Sequence, residues 1–263
     1  MKELTNKVVM ITGASSGIGE EMAYEVAKWG GTPILVARRH QKLVNIQEKI
    51  TSTYGRQSYV YPLDVCDEQQ VKVVFENIVQ EVGRIDVLIN NAGFGVFTSV
   101  DEADLTEVKE MFDVNVIGLI ACTQAVLPYM KERNEGHIIQ IASLAGKIAT
   151  PKSSAYAATK HAVLGFTNAL RMELANTNIH VTAINPGPIK TNFFDRADTT
   201  GNYVKSVEKY MLEPSTVAKK VVSVIGKRKR EINLPFWMGF GPTFYALFPS
   251  VFEFFAKGSL NKK

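Results

Sequence analysis

Val8-Val9-Met10-Ile11 runs directly into Thr12-Gly13-Ala14-Ser15-Ser16-Gly17-Ile18-Gly19, and the helical run EEMAYEVAKWG follows at once from Glu20 to Gly30. A short apolar strand, a glycine-rich turn and an amphipathic helix in direct succession form the opening unit of a nucleotide-binding sheet. The glycines let backbone approach a pyrophosphate closely and let the helix start tightly. Its free N–H groups and the positive end of its dipole then face the phosphates. A glycine triplet alone is weak evidence; its place between the first strand and the first helix makes it specific.

Outward from this unit the pattern repeats. PILVA, YVYPLDV, VLIN, HIIQIAS and VTAIN are apolar runs separated by amphipathic helical stretches. Strand, helix and strand in repetition require right-handed crossovers and a parallel sheet covered on both faces. The predicted fold class is therefore α/β, a doubly wound Rossmann-type parallel sheet with helices on both faces. At 263 residues the chain suits one such domain over 1–263, and no internal repeat, low-complexity stretch or linker divides it. Between residues 188 and 212 the periodicity fades into a polar, aromatic-spotted segment, expected to be a lid over substrate, with a plain surface loop as the alternative.

Composition narrows the classes of function. Hydrophobic residues make up 46% and charged residues 21%, and the net charge is only +4, with no basic stripe interleaved with aromatics. That excludes a nucleic-acid partner. Cys66 and Cys122 lack CxxC spacing and read as reduced core thiols, with no disulfide framework and no metal site. The opening MKELTNK is polar and runs into an apolar stretch too short for a secretory segment, so a cytoplasmic protein is expected.

The end of the second strand should lie beside the adenosine ribose, where an acid would bond a 2′-hydroxyl. This chain has Ala37, Arg38 and Arg39 there. A guanidinium fork suits a 2′-phosphate, and the missing carboxylate removes the repulsion that would exclude it, so NADP(H) is favoured over NAD(H). Of the two arginines, Arg39 is the one expected to stand in solvent at the start of the next helix.

Tyr156 and Lys160 are four apart in the helical run SSAYAATKHAVLGF and so share a face. An ammonium there stabilises a phenolate and lowers the tyrosine pKa toward working pH, as a proton donor or acceptor needs. Ser143 closes the strand HIIQIAS at the sheet edge where such folds bind ligands, and its hydroxyl can hold a substrate oxygen.

Together these residues resemble the short-chain dehydrogenase/reductase family, in its compact single-domain form. The resemblance covers roughly residues 5 to 225, with TGASSGIG, LDV containing Asp64, NNAG from Asn90 to Gly93, Asn115, Ser143, YAATK and NPGPIKT from Asn185 to Thr191 in order. It implies that Asp64 and Val65 border the adenine, with a strand-end cap the other role for Asp64. It implies that Asn91, Ala92 and Gly93 line the cofactor and that Ser15 and Ser16, with Arg38, surround the adenosine phosphate. Relatives that prefer NADP often carry a basic residue at the position of Ser16, which leaves Arg38 and Arg39 as the discriminators here. It implies further that Pro186, Gly187, Ile189 and Thr191 pass beneath the nicotinamide, Thr191 serving also as a helix N-cap. Asn115, in the apolar FDVNVIGLI, would hold a water linking Lys160 to solvent, a purely structural amide being the alternative.

The activity so implied is hydride transfer between NADP(H) and a small-molecule carbonyl or secondary alcohol. Ser143 and Tyr156 polarise the oxygen, Tyr156 supplies the proton, and Lys160 with the Asn115 water restores it. A ketoacyl reductase acting on carrier-bound substrates is an alternative that needs basic residues at the pocket mouth, for which Lys190, Arg196 and Lys205 are candidates. A non-catalytic NADP(H) sensor would have no need of all four catalytic residues. A homodimer or homotetramer through the helices of Asn115 and Tyr156 is expected by resemblance.

The family pattern ends near residue 226. Lys227 to Arg230 form a basic run, and an aromatic C-terminal extension completes residues 227–263. Pro235, Pro242 and Pro249 would break a membrane-spanning helix repeatedly. The favoured reading is that its aromatics close the substrate pocket and a subunit interface; peripheral contact with an anionic bilayer is the less favoured one.

Overall fold

The computed structural model describes residues 3–148 and 150–260. Seven strands form one sheet in the order β3-β2-β1-β4-β5-β6-β7, every neighbouring pair parallel. They are β1 (Val8–Thr12), β2 (Thr32–Ala37), β3 (Tyr59–Pro62), β4 (Val87–Asn90), β5 (Gly136–Ile141), β6 (Ile179–Pro186) and β7 (Glu231–Leu234). The chain runs outward from β1 to β3 and then returns to the other side of β1 with β4. The sheet therefore opens a crevice above the carboxyl ends of β1 and β4, where the strand order reverses.

Burial on both faces explains the unbroken apolar strands. In β1, Val9 and Ile11 point to one face and Val8 and Met10 to the other, the two-residue period of a strand. On the first face they meet Met22 and Val26 of α1 (Gly17–Lys28), Leu43 and Ile50 of α2 (His40–Tyr54), and Val217 and Val221. On the second they meet Phe75 and Ile78 of α3 (Glu68–Val82) and Leu170. Each such side chain contributes about 1.5–3 kcal/mol by leaving water. At the base of the sheet, buried Asp86 accepts from the Val8 N–H at 2.8 Å and pairs with Arg84. That bond fixes the start of β1 against the approach to β4.

The remaining helices are α4 (Leu105–Phe112), α5 (Leu119–Glu132), α6 (Ser154–Glu173), α7 (Phe193–Ala197), α8 (Asn202–Val207), α9 (Pro214–Val222), α10 (Phe240–Leu247) and α11 (Pro249–Leu260). They complete the two faces, through α5, α6 and α9, and form the upper rim. A π-helical segment, Asp113–Gly118, joins α4 to α5. The continuous run Leu105–Glu132 is long and apolar enough to cross a membrane, yet Met111, Cys122 and Val126 within it are buried against the rest of the fold.

Three expectations need correction. The strand before Asp64 stops at Pro62, whose missing N–H cannot continue the ladder, so Cys66 lies outside the sheet and is exposed. Only Cys122 is a core thiol. The segment 188–212 is more ordered than a polar loop, holding α7, α8 and a turn at Glu208–Tyr210, and Ile189 bridges to Leu212. The basic run leads into β7, a seventh strand that no apolar run announced, paired with β6 from Ala183↔Glu231 to Pro186↔Leu234.

Candidate active site

The floor of the crevice is the glycine turn. Gly13 and Gly17 have φ of +66° and +59°, which side chains rarely adopt. A methyl at Gly19 would overlap the Gly13 carbonyl oxygen, so the helix start can tuck this close only without one. Thr12 locks the turn to the neighbouring strand, its hydroxyl accepting from the N–H groups of Asn91 and Ala92, both at 3.0 Å. Asn91 in turn donates to the Thr12 carbonyl at 2.9 Å. NNAG thus has a structural task at the β1–β4 junction besides lining the crevice.

At the far end of the crevice Arg39 donates to Ser15 Oγ at 2.8 Å and to Ser16 Oγ at 2.9 Å. Arg38 is 3.8 Å from Asp64 with its side chain 71% exposed. The expected order of the two is reversed: Arg39 closes over the glycine turn, and Arg38 is the solvated one. β2 ends at Ala37, so which arginine faces the turn depends on where the strand releases the chain. Asp64 accepts from the Cys66 N–H at 3.1 Å, a strand-end cap in contact with Arg38.

At the other end stand Ser143, Tyr156 and Lys160. β5 ends at Ile141, two residues before Ser143, whose Oγ accepts from the Ala145 N–H at 3.0 Å and caps a single helical turn. Tyr156, 8% exposed, lines the same crevice wall as Ser143. Burial pushes its phenol well above the ordinary range, and the Ser143 hydroxyl opposes this. The expected lowering by Lys160 is therefore not the dominant effect. Lys160 donates to the Ile141 carbonyl at 3.0 Å, and burial lowers its own pKa to about 8.

Asn115 lies behind this wall, on the π-helical segment. Extra residues in a helical turn re-aim side chains, and the Asn115 amide is turned to donate to the Phe94 carbonyl at 2.8 Å and accept its N–H at 3.0 Å. It also donates to Thr159 at 3.1 Å, which ties the loop after β4 to α6. A Cβ on Gly93 would come within 2.8 Å of Asn115 Oδ1. Apart from Asn115 and Gly19, every residue expected to act in catalysis or to hold the cofactor lines the crevice wall, Ile18, Val65, Gly187, Ile189 and Thr191 included; of the basic candidates for the mouth Arg196 lines it, and Lys190 and Lys205 do not.

The sequence led us to expect a lid over 188–212 and pocket-closing aromatics in the C-terminal extension, but it named none of the rings that face Tyr156 and did not foresee Phe97. Phe97 meets Tyr156, Phe193 and Tyr203 with ring centroids at 5.7, 6.3 and 5.1 Å. Phe97 stands in an irregular loop, and the others are spread over α6, α7 and α8, so no periodicity linked them. The C-terminal extension contributes Trp237, Met238 and Phe252 to the same wall, while Phe236, Phe240 and Leu247 face outward.

A doubly wound sheet with a glycine turn at its switch point, and a Ser-Tyr-Lys cluster above the same crevice, is the architecture of a dinucleotide-binding α/β protein. This chain belongs to the short-chain dehydrogenase/reductase family of oxidoreductases, whose model, short chain dehydrogenase, matches residues 7–201. Dehydrogenase/reductase SDR family member 7 of Homo sapiens is 37% identical over 209 residues, covering 78% of this chain and 61% of that protein. The chain thus spans about three fifths of that relative. An NADP-dependent 3-hydroxy acid dehydrogenase of Schizosaccharomyces pombe is 35% identical over 242 residues, covering 88% of this chain and 92% of that protein. The crystal structure of a short chain dehydrogenase/reductase from Burkholderia phymatum in complex with NAD shares the fold, with a TM-score of 0.86 at 24% identity over 95% of this chain and 96% of that one.

Proposed function

We propose that the chain is an NADP(H)-dependent carbonyl reductase or alcohol dehydrogenase using Ser143, Tyr156, Lys160 and Asn115. The observation that carries this is the convergence of Ser143, Tyr156 and Lys160 on the crevice that holds the glycine turn. The crevice fits a dinucleotide on its own terms, since side chains at Gly13 and Gly19 would fill the cradle and Arg39 stands over its end. When bound, the nicotinamide supplies or receives the hydride. Gly13 to Gly19 would cradle the pyrophosphate, Arg39 the 2′-phosphate, and Pro186 to Thr191 the nicotinamide end. The NADP preference draws on Arg39 and on the similarity to the NADP-dependent Schizosaccharomyces pombe enzyme.

Ser143 and Tyr156 hold the substrate oxygen between two hydroxyls. The raised phenol keeps its proton across neutral pH, as an acid in carbonyl reduction must. Lys160 is a cation below about pH 8 and stabilises the phenolate left behind. Asn115 positions this wall from behind through Phe94 and Thr159. Pairing of two copies through the helices of Asn115 and Tyr156 belongs to the same reading; Ile117 on the π-helical segment and Met172 on α6 are exposed there.

The test is a panel of ketones and aldehydes followed at the NADPH absorbance, with NADH in parallel. Turnover with NADPH preferred is expected; no turnover of any carbonyl or alcohol would remove the reading.

A further inference from the structure

Four cations line the crevice among the described residues: Arg38, Arg39, Lys160 and Arg196. The first two stand at the adenosine end, and Lys160 is committed to the Ile141 carbonyl beside Tyr156. Arg196 is the one on the substrate side, and its charge is already answered. From α7 it reaches across the mouth to two carboxylates of α4, Glu110 at 2.8 Å and Glu107 at 3.8 Å, which are three apart and so share a face. Its guanidinium carbon lies 3.8 Å from the centroid of the Phe94 ring, which fixes the plane of the fork. The Phe97 N–H donates to the Ala197 carbonyl at 2.8 Å, so the aromatic loop and α7 hold one position relative to each other.

We propose that Glu107 and Glu110 silence Arg196 at the mouth of the cleft, so that the enzyme selects uncharged, apolar carbonyl substrates over carboxylated ones. The proposal rests on the oxidoreductase reading above and names its substrate class. Two carboxylates around one guanidinium leave the mouth with a net charge of −1. A substrate carboxylate meets that negative charge instead of a free fork, and beyond it the rings of Phe97 and Phe193 offer no hydrogen-bond donor to an anion. An uncharged aryl or alkyl ketone meets neither penalty. All three charges at the mouth are about half exposed, so the discrimination is moderate, about tenfold, and salt weakens it.

The experiment compares 4-acetylbenzoate with its methyl ester as substrates for the parent, Glu107→Gln/Glu110→Gln, and the same double variant with Arg196→Met. The parent is expected to favour the ester, and the preference to shrink in 0.5 M salt. Freeing Arg196 raises kcat/KM for the acid about tenfold, chiefly through KM, and changes the ester by less than about threefold. Adding Arg196→Met removes the gain. An acid kcat/KM unmoved in the double variant, a gain that survives without Arg196, or an equal loss on both substrates overturns the proposal; the last would mean that the pair merely holds the loop. Glu110→Gln alone serves where the double variant folds poorly. Calorimetric Kd values for both compounds in Tyr156→Phe read the charge selection without turnover. A parent inactive on both with the Kd ratio intact counts against the oxidoreductase reading alone.

Discussion

The Lys160 ammonium donates to the Ile141 carbonyl at 3.0 Å while standing 5.8 Å from the centre of the Tyr156 ring. A cation held by the strand end rather than by the phenol leaves the tyrosine protonated at rest and acts on it through space once it ionises. Burial raises the phenol and lowers the lysine to about 8, and these two shifts fix how the site responds to pH.

Reduction needs the phenol protonated and the lysine charged. Both hold at pH 7, and the lysine loses its proton as pH rises through about 8. The rate of carbonyl reduction should therefore be flat from pH 6 to 7.5 and fall above 8. Oxidation of the alcohol needs phenolate beside the charged lysine, so it should rise toward pH 8 and level off above it. Lys160→Arg, charged throughout, should lose the limb near 8 in whatever activity remains. Stopped-flow rates in both directions check this; a reduction rate that climbs above pH 8 would contradict it.

Arg39, bonded to Ser15 and Ser16, is already in place over the glycine turn. Charged hydrogen bonds to a phosphate contribute about 1.5–3 kcal/mol, so Arg39→Ala should lower kcat/KM for NADPH by roughly 10–150-fold and leave NADH nearly unchanged. Arg38→Ala should have the smaller effect. An unaltered NADPH/NADH ratio in Arg39→Ala would place the discrimination elsewhere.

Gly19→Ala sets a methyl against the Gly13 carbonyl oxygen. The turn must open to admit it, at about 1–3 kcal/mol, so NADPH should bind roughly 5–150-fold more weakly. Fluorescence titration of NADPH measures this, and an unchanged Kd would mean that the turn yields without cost.

His137, 2% exposed, accepts from the Gly226 N–H at 3.2 Å with Nδ1, so Nε2 carries the proton and faces Thr182 at 2.9 Å. Both nitrogens are used by the neutral ring. Burial, with His180 adding to it, lowers the pKa from 6.5 to about 3. Unfolded chains then bind the proton more readily, so the stability is fully present above about 6.5 and is lost as pH falls toward 3. Between pH 6.5 and 5 the loss should be about 2 kcal/mol. Urea unfolding of His137→Gln should show a shallower slope over that window; parallel slopes would contradict the assignment.

Much of this architecture was legible because the strands are buried on both faces. Four apolar residues in β1, then Thr12 and a glycine turn, admit few other placements. β7 was not legible, because Glu231–Leu234 is four partly buried residues whose pairing with β6 is a tertiary event. The π-helical segment was hidden for a related reason: it shows in the sequence only as Asn115 among apolar neighbours. Cys66 and the order of Arg38 and Arg39 were misjudged because each depends on the residue at which a strand ends. The salt-bridged mouth joins α4 to α7 over 86 positions and left no local mark.

In the proposed mechanism Tyr156 transfers the proton beside a bound dinucleotide. Tyr156→Phe removes one oxygen from a packed ring and leaves the glycine turn and Arg39 untouched. The variant should bind NADPH with a Kd within about threefold of the parent and reduce a ketone roughly 10²–10⁴-fold more slowly. A variant that binds NADPH and keeps its rate would contradict that mechanism.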